Sequence, residues 1–329
     1  MKALVTGGGG FLGSAICRML RERGDEVRSL SRGDYPALRE SGVELVRGDI
    51  ADAEAVAKAV DGSDIVFHAA AKAGVWGKYR DYHQANVVGT KNVIDACRRH
   101  GVPKLVYTSS PSVVFNGKDM EGVDEAVGYP AHYHAPYPKT KAEGEKLALA
   151  ADGDSLSVVS LRPHLIWGPG DNHLVPRIIE RGHSGKLRRI GNRPNKVDAV
   201  YIDNAAEAHL LAADHLEPGS SVAGRAYFIT NDEPVVVWDF IDRILECAGI
   251  PPVRKRISPG LAYFAGCVLE TIYNGIGIKS EPRMTRFVAR ELATAHWFDI
   301  SAAKRDFGYG PKVSMEEGLR RLRQELRGK

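Results

Sequence analysis

The sequence predicts an α/β fold in which a doubly wound parallel sheet is joined by a smaller, mostly helical lobe. Three observations lead to this prediction. Short apolar strands alternate with longer amphipathic stretches through the first half of the chain. A glycine-rich string directly follows the first of these strands. The alternation stops after Pro163, where Gly168-Pro169-Gly170 and later Pro251-Pro252 interrupt the chain.

The predicted elements follow one another as right-handed βαβ units do. Strands are predicted at Lys2–Thr6, Glu26–Ser31, Val43–Val46, Ile65–Ala69, Leu105–Ser109 and Ser157–Leu161. Helices are predicted near Phe11–Arg23, Ala53–Val60, Tyr82–His100 and Tyr137–Ala150. We expect the sheet domain to comprise residues 1–165 and roughly 197–226, and the interleaved second lobe to comprise residues 166–196 and 227–329.

Composition excludes several classes of protein. A chain of 329 residues that is 43% hydrophobic can bury a large core, which excludes a disordered protein. The formal net charge of +4 is mild and mostly dispersed, so nucleic acid is not an expected partner. The four cysteines are scattered and no histidine cluster has metal-ligand spacing, so we expect neither a disulfide framework nor a metal site. A strand predicted from Lys2 leaves no room for a signal peptide, which favours a cytoplasmic location.

One segment of the second lobe is unusually apolar. Residues Ile257–Leu269 include no charged side chain. Thirteen residues are too few to span a bilayer but suit a buried or interfacial helix. We therefore expect no membrane span, and leave open a peripheral contact with a membrane.

The glycine-rich string Thr6–Gly13 lies between the first predicted strand and an amphipathic helix. Backbone N–H groups and the positive helix end at such a turn bind the pyrophosphate of a dinucleotide. Two registers fit, one with Gly7, Gly10 and Gly13 and the other beginning at Gly8. We therefore expect a Rossmann domain that binds a dinucleotide. The expected contacts from this turn are Gly7, Gly10, Phe11, Leu12 and Gly13.

The end of the second strand bears on which dinucleotide binds. Enzymes that use NAD place a carboxylate there against the adenosine ribose. This chain has Ser31-Arg32, in which the small serine leaves space and the guanidinium can hold a 2′-phosphate. NADP(H) is therefore preferred, with NAD(H) the alternative if Asp34 binds the ribose. Asp49 and Ile50 after the third strand are expected at the adenine, although Asp49 could instead be only a helix cap.

The spacing Y-x-x-x-K occurs once, at Tyr137 and Lys141. Residues i and i+4 share a helix face, so both side chains would point the same way. A phenol is a poor acid at neutral pH until a neighbouring ammonium favours its anion, and we expect Lys141 to supply that charge. Tyr137 could then donate a proton to a forming alkoxide or accept one from an alcohol. The hydroxyl run Thr108–Ser112 would hold the substrate oxygen beside it.

Together these motifs resemble the extended short-chain dehydrogenase/reductase family. The resemblance covers nearly the whole chain, and it also includes His68-Ala69-Ala70-Ala71, Asn86-Val87-Val88-Gly89-Thr90, Tyr107-Thr108-Ser109-Ser110 and Leu161-Arg162-Pro163. It implies a catalytic set of Ser110, Tyr137 and Lys141, with Ser109 as the alternative serine. It also implies a homodimer, and a cofactor site lined by Ala69, Ala70, Ala71, Asn86, Tyr137, Lys141 and Pro163.

Residues Val197–Asn204 discriminate between groups of this family. Sugar-nucleotide epimerases and dehydratases typically carry R-D-Y/F-x-H-V-x-D there, whereas this chain has Lys196-Val197-Asp198 and no histidine before Asp203. The stretch instead resembles 3β-hydroxysteroid dehydrogenases and bacterial 2-alkyl-3-oxoalkanoate reductases. This resemblance implies hydride transfer between a nicotinamide and the ketone or secondary alcohol of a hydrophobic small molecule, sterol-like or 2-alkyl-3-ketoacyl. If that molecule carries a carboxylate, the basic run 181–196 is the expected counter-charge.

Two alternative functions remain open. The first is a sugar-nucleotide epimerase or dehydratase on the same fold. The second is a protein that senses the dinucleotide without turning it over, against which the presence of Ser110, Tyr137 and Lys141 argues. Fold alone does not choose among the three.

Overall fold

The computed structural model describes residues 1–328. In chain order its strands are β1 (Lys2–Thr6), β2 (Glu26–Ser31), β3 (Glu44–Arg47), β4 (Ile65–His68), β5 (Lys104–Thr108), β6 (Met120–Val123), β7 (Ser157–Pro163), β8 (Ile166–Trp167), β9 (Arg189–Ile190), β10 (Lys196–Val197), β11 (Val200–Tyr201), β12 (Arg225–Ile229), β13 (Val235–Val236), β14 (Arg256–Ile257) and β15 (His296–Phe298).

Its α-helices are α1 (Phe11–Glu22), α2 (Pro36–Glu40), α3 (Ala53–Val60), α4 (Tyr79–His83), α5 (Gly89–His100), α6 (Pro136–Leu149), α7 (Leu174–His183), α8 (Ile202–Asp214), α9 (Val237–Cys247), α10 (Pro259–Ile276), α11 (Arg286–Ala293), α12 (Ser301–Phe307) and α13 (Met315–Arg327). A π-helical turn, Gln84–Val88, joins α4 to α5. A short 3₁₀ turn, Pro111–Val113, follows β5.

The main sheet has seven strands in the order β12-β7-β5-β4-β1-β2-β3. All neighbouring pairs run parallel. The chain leaves β1 toward β2 on one side and reaches β4 on the other, so the strand order reverses between β1 and β4. Ligands of open α/β sheets bind outside the carboxyl ends of the strands at such a reversal. The predicted fold class, a doubly wound Rossmann-type sheet with a smaller lobe, is confirmed.

Alternating side chains of the central strands enter two separate cores. Ala3 and Val5 of β1 pack in one hydrophobic cluster with residues of α1 and α8, whereas Leu4 packs in the other with residues of α3 and α5. Successive side chains of a strand point to opposite faces, so helices on both sides are needed to bury an apolar strand such as this one. The sheet is therefore buried on both faces, and its carboxyl edge remains open for a site.

The predicted strands match six of the seven strands of this sheet to within two residues at each end. The seventh, β12, was not predicted as a strand. It pairs with β7 in parallel register after the chain has passed through part of the second lobe. Its sequence Arg-Ala-Tyr-Phe-Ile lacks the regular strand–helix context that identified the other six.

The second lobe combines helices with short strands, including the four-stranded sheet β13-β10-β15-β6. Its helix α10 contains most of the apolar segment that the sequence singled out. At Gly266, α10 approaches the start of α11 so closely that a Cβ there would lie 2.7 Å from the Arg286 nitrogen. The Glu270 carboxylate also accepts hydrogen bonds from Arg286 N at 2.7 Å and Nε at 2.6 Å. Among residues 1–328, no helix is both long and apolar enough to cross a membrane.

Candidate active site

A continuous cleft crosses the carboxyl edge of the main sheet. It consists of two adjoining cavities of about 500 and 400 Å³. Gly7, Gly10, Ala69 and Ala71 line both of them, which places the β1–α1 turn and the residues after β4 at their junction. The strand order reverses at this junction, so the cleft occupies the position expected for a dinucleotide.

The structure favours the register Gly7, Gly10, Gly13 for the glycine turn. Gly7 has a positive φ of +74°, and a Cβ there would lie 2.8 Å from the Ala70 Cα. A Cβ on Gly13 would lie 2.2 Å from the Gly7 carbonyl oxygen, so α1 can pack this closely only without a side chain. Gly8 instead packs on Ser29, and it does not line either cavity.

The turn fits the pyrophosphate of a dinucleotide. Gly10 stands at the N-terminus of α1, and no side chain hydrogen-bonds to the first amides of that helix. Phe11, Leu12 and Gly13 continue the lining toward the second cavity. Open helix amides beside a surface that carries no side chains are the arrangement that binds phosphate groups.

The adenosine end of the cleft is formed by residues after β2 and β3. Ser31 Oγ accepts a hydrogen bond from the Gly9 amide at 3.1 Å, which ties β2 to the glycine turn. Arg32 lines the cavity, and its guanidinium has no hydrogen bond or ion pair among the described residues. Asp34, the alternative ribose ligand, forms an ion pair with Arg39 at 2.6 Å.

Asp49 and Ile50 also line this end. Asp49 Oδ1 accepts a hydrogen bond from the Ala51 amide at 2.9 Å, whereas the cap of α3 is Asp52. Sequence reasoning missed Arg47, which pairs with Ser31 in the parallel register and donates from Nε to the Arg32 carbonyl at 3.2 Å. The sequence could have identified Arg47, because β3 neighbours β2 in a sheet of this type and Arg47 is its last residue.

Asn86 lies behind the cleft wall and does not line it. Its Oδ1 accepts from the Lys72 amide at 2.7 Å, and its Nδ2 donates to the Lys72 carbonyl at 3.1 Å and to Thr140 Oγ1 at 3.0 Å. These bonds pin the chain that follows Ala69–Ala71, which themselves line the cleft as expected. Asn86 is thus placed as a support for that wall.

The second cavity is lined by Tyr137, Ser110 and Lys141, together with Pro163. Tyr137 is the second residue of α6, and Pro136 and Pro138 in its first turn lack only amide donors that a helix start does not use. Ser110, at the start of the 3₁₀ turn, lies close enough to the Tyr137 phenol to lower its pKa, and its Oγ is 2.9 Å from Ser112 Oγ. Ser109 also lines this cavity, and its Oγ has no hydrogen-bond partner among the described residues.

Lys141 is 3% exposed and lies one helical turn after Tyr137. Its Nζ donates to the Thr108 carbonyl at 2.5 Å and sits 4.3 Å from the centre of the Tyr107 ring. Burial lowers the pKa of Lys141 to about 7, and the negative charge of Glu145 partly opposes that shift. The ammonium therefore titrates near neutral pH.

The Tyr137 phenol has a different electrostatic environment from the one that we expected. Burial raises its pKa, the nearby Ser110 hydroxyl lowers it, and the carboxylate of Glu291 raises it. Lys141 does not lower this pKa, because its own pKa of about 7 leaves it neutral at the pH at which the phenol titrates. In the protein alone, then, Tyr137 is held in its protonated form.

A buried ion pair between Glu145 and Arg162 joins α6 to β7. Glu145, one turn after Lys141, is fully buried and binds Arg162 of β7 through contacts of 2.7 and 3.0 Å. Its carboxylate also accepts from Ser160 Oγ at 2.9 Å and from the Tyr129 phenol at 2.7 Å. The pKa of Glu145 is lowered: burial raises it, but the Arg162 guanidinium outweighs that effect.

The substrate side of the second cavity is formed by residues that the sequence did not identify. Val75, Ile166 and Phe287 give it apolar walls, and Glu291 adds one carboxyl group. Leu165 also lines it, with a φ of +43° that non-glycine residues rarely adopt and that costs about 1 kcal/mol or more. The surrounding structure thus fixes a strained backbone at this wall.

The basic run 181–196 does not line this cavity, so the structure contradicts it as the counter-charge for a bound substrate. Arg189 is engaged by Asp242 in an ion pair and donates from Nε to the Val253 carbonyl at 2.7 Å. Arg188 donates to backbone carbonyls of its own loop. The run is basic in sequence, but the guanidiniums of Arg188 and Arg189 already bind groups of the protein itself.

Comparisons with known proteins identify the family of this chain. The family model for the 3-beta hydroxysteroid dehydrogenase/isomerase family matches residues 4–258. The chain is 53% identical to a 2-alkyl-3-oxoalkanoate reductase of Stenotrophomonas maltophilia, over 98% of both chains. It is 50% identical to the enzyme of that name from Shewanella oneidensis, over 98% of this chain and 86% of the relative.

A solved structure shows the same fold at greater distance. UDP-glucuronic acid 4-epimerase from Bacillus cereus in complex with NAD matches 100% of this chain and 99% of its own, with a TM-score of 0.76 and 23% identity. Such low identity bears on the fold alone. The reductase relatives are far more similar to this chain, and the family model matches most of it. This chain is an oxidoreductase of the extended short-chain type and belongs to the 3-beta hydroxysteroid dehydrogenase/isomerase family.

Proposed function

We propose that the enzyme interconverts the ketone and the secondary alcohol of a hydrophobic 3-oxo or 3-hydroxy compound with NADP(H). One observation carries the proposal. Ser110, Tyr137 and Lys141 line the same cavity as the glycine turn. A proton donor therefore lies next to the proposed cofactor site, in a cavity that also has apolar walls. A sugar diphosphate would leave the apolar walls of that cavity without contacts.

The nicotinamide supplies or accepts the hydride when the cofactor is bound. Ser110 would hold the substrate oxygen beside the Tyr137 phenol. Tyr137 donates its proton to the oxygen in reduction and accepts one from the alcohol in oxidation. Its raised pKa keeps it protonated, which suits reduction. Lys141, whose pKa is lowered to about 7, would stabilise the phenolate that remains after the proton has left.

The substrate that fits best is 2-alkyl-3-ketoacyl or sterol-like. Val75, Ile166 and Phe287 offer it apolar surface, and the two reductase relatives are named for 2-alkyl-3-oxoalkanoates. A panel assay of NADPH oxidation tests this with a long-chain 2-alkyl-3-keto acid, a sterol-type ketone and a UDP-sugar. We expect turnover of a hydrophobic ketone and none of the sugar nucleotide. Interconversion of the UDP-sugar without net oxidation would contradict the proposal.

We further propose that NADP(H) is preferred because two guanidiniums, not one, meet the 2′-phosphate. Arg32 and Arg47 end adjacent strands, both are exposed, and neither forms an ion pair with an acid among residues 1–328. Asp34, which would repel the phosphate, is neutralised by Arg39. Paired arginine forks without acidic partners are suited to phosphate.

Replacing Arg32 with alanine tests this preference. A charge-assisted hydrogen bond contributes about 1.5–3 kcal/mol, so KM for NADPH should rise roughly 10- to 100-fold. KM for NADH should stay nearly constant, since NADH has no phosphate at that position. Arg47→Ala should have the same selectivity with a smaller effect, and steady-state kinetics with both cofactors would measure it. An equal loss for NADH and NADPH would assign these arginines to folding instead.

The division into residues 1–165 plus roughly 197–226 and 166–196 plus 227–329 stays a proposal, as does a homodimer formed through α5 and α6. Light scattering after size exclusion would give the oligomeric state.

A cytoplasmic location is supported by four cysteines that form no disulfide within the described part of the chain.

We also propose a peripheral contact with an anionic membrane through α10. Leu261, Phe264, Val268, Ile272 and Ile276 follow one another three or four residues apart and are exposed, up to 68% for Ile276. The exposed cations Arg254, Lys255, Lys279 and Arg283 flank this helix. An apolar helix face between basic flanks suits a lipid surface, and co-sedimentation with anionic vesicles would detect binding.

A further inference from the structure

Glu291 is a carboxyl group in the cavity to which the proposed chemistry assigns no role. It lies one helical turn after Phe287 on α11, and both line the cavity opened by Ser110 and Tyr137. Its backbone carbonyl is fixed by a hydrogen bond from His296 Nε2 at 2.9 Å. Within residues 1–328 its carboxylate has no hydrogen bond and no ion pair. A carboxyl group that lines a cavity and has no protein partner is available to a ligand bound there.

The surroundings of Glu291 favour its neutral form. Burial raises the pKa of Glu291 to about 8, and the positive charge of Arg177 lowers it only in part. Arg177 already forms an ion pair with Glu281, so its guanidinium is shared. The groups that face or flank Glu291 are Tyr137 and Lys141 on α6, His164 after β7, Asp171 and His173 before α7, Arg177 on α7, His296 on β15 and Arg290 on its own helix.

Lys141 and His164, which line the cavity beside Glu291, do not offer a cation to an acidic substrate. Lys141 is directed at the Thr108 carbonyl, and burial lowers the pKa of His164 to about 3, which leaves that imidazole neutral. The basic run lies elsewhere. A protonated carboxyl is the strongest hydrogen-bond donor left on the substrate wall, and the O–H···O⁻ bond that it can make to a carboxylate is short and strong.

We propose that Glu291 is a specificity-determining residue that binds the carboxylate of a 3-oxo or 3-hydroxy acid by donating its own proton into a shared hydrogen bond. The inference rests on the proposed function, because it takes the reacting oxygen to lie at Ser110 and Tyr137. The carboxylate of such an acid is two carbons from that oxygen-bearing carbon. Glu291 and Tyr137 line the same cavity, so a substrate bound there lies beside both.

The assignment predicts how acid recognition depends on pH. Below about pH 8 Glu291 carries its proton and binds the carboxylate. Above that pH it is an anion, and two carboxylates repel each other. Selectivity for an acid over a neutral substrate should therefore fall as the pH rises through about 8. Titration of Lys141 also changes the charge that an acid meets, so the Glu291→Gln variant, which keeps Lys141, is the reference that isolates the contribution of Glu291.

The experiment compares oxidation of a long-chain 2-alkyl-3-hydroxy acid with oxidation of the matched secondary alcohol that lacks the carboxylate. The ratio of their kcat/KM values is measured from pH 6 to 9.5 for the wild type, Glu291→Gln and Glu291→Leu. Glutamine keeps a neutral donor in nearly the same volume, so its ratio should stay high and should not fall near pH 8 as the wild-type ratio does. Leucine removes the donor and should raise KM for the acid about 10- to 100-fold, with KM for the alcohol nearly unchanged.

The controls separate this inference from the proposed function. Cofactor binding by each variant, followed by NADPH fluorescence, shows that the fold is retained. If the wild type oxidises both substrates with the same pH profile, or if leucine weakens both equally, the role of Glu291 is overturned and the oxidoreductase chemistry stands. If the wild type turns over neither the acid, the alcohol nor any ketone, the proposed function itself is overturned, and the Glu291 role with it.

Discussion

Replacing Tyr137 with phenylalanine should lower kcat for ketone reduction about 10²- to 10⁴-fold, the range for loss of a positioned general acid. Phenylalanine keeps the ring and removes only the hydroxyl, which shares the cavity with Ser110. The ring packs at the start of α6, so the fold and the glycine turn should be unaffected. Single-turnover rates with saturating NADPH would measure the chemical step directly.

Two comparisons make the Tyr137 result specific. The Kd for NADPH, from the quenching of protein fluorescence, should change less than about 3-fold, because a general acid contributes to the transition state and little to cofactor binding. Ser110→Ala should lower kcat by a smaller factor, since Tyr137 can still donate its proton. A Tyr137→Phe variant with nearly normal kcat would show that another group supplies the proton.

Replacing Arg162 with methionine should destabilise the protein by about 3–5 kcal/mol, the cost of leaving a buried partner charge unpaired. Glu145 is fully buried, and Arg162 supplies its only cationic contacts closer than 4 Å among the described residues. Tyr129 and Ser160 would still donate to the carboxylate, but they are neutral. The free energy of unfolding, from urea denaturation followed by circular dichroism, would measure the loss.

The double variant Glu145→Met, Arg162→Met separates charge from packing. Removing both partners leaves no uncompensated charge, so most of the lost stability should return. The site should nevertheless change, because the negative charge of Glu145 raises the pKa of Lys141. We expect the Lys141-dependent limb of the kcat pH profile to move below pH 7. A double variant as unstable as Arg162→Met alone would mean that shape, not charge, makes this pair important.

The glycine turn and the Tyr137–Lys141 pair were predictable because their geometry is local. A turn between a strand and a helix needs adjacent glycines, and a shared helix face needs a spacing of four residues. The family resemblance implied a site at Ser110, Ala69–Ala71 and Pro163. These residues line the cleft at the carboxyl ends of strands, which meet at one edge of a parallel sheet.

The substrate side was not predictable in the same way. Glu291 reads in the sequence as one charge on an ordinary amphipathic helix, and only the tertiary fold brings it opposite Tyr137. Asn86 looked like a cofactor ligand, yet its side chain is fully occupied by Lys72 and Thr140. The direction of the Lys141 ammonium was equally hidden, since it depends on the carbonyl of Thr108 at the end of a distant strand.

The contact of α10 with α11 at Gly266 has a mechanical consequence for the enzyme. No side chain separates the two helices there, and Glu270 binds Arg286 of α11. We therefore expect α10 and α11 to move together. The outer surface of α10 carries the apolar stripe from Leu261 to Ile276, and α11 contributes Phe287 and Glu291 to the cavity. A contact that shifts α10 is therefore expected to shift α11 and, with it, Phe287 and Glu291 in the cavity. Occupancy of the outer surface would then change the affinity for the substrate.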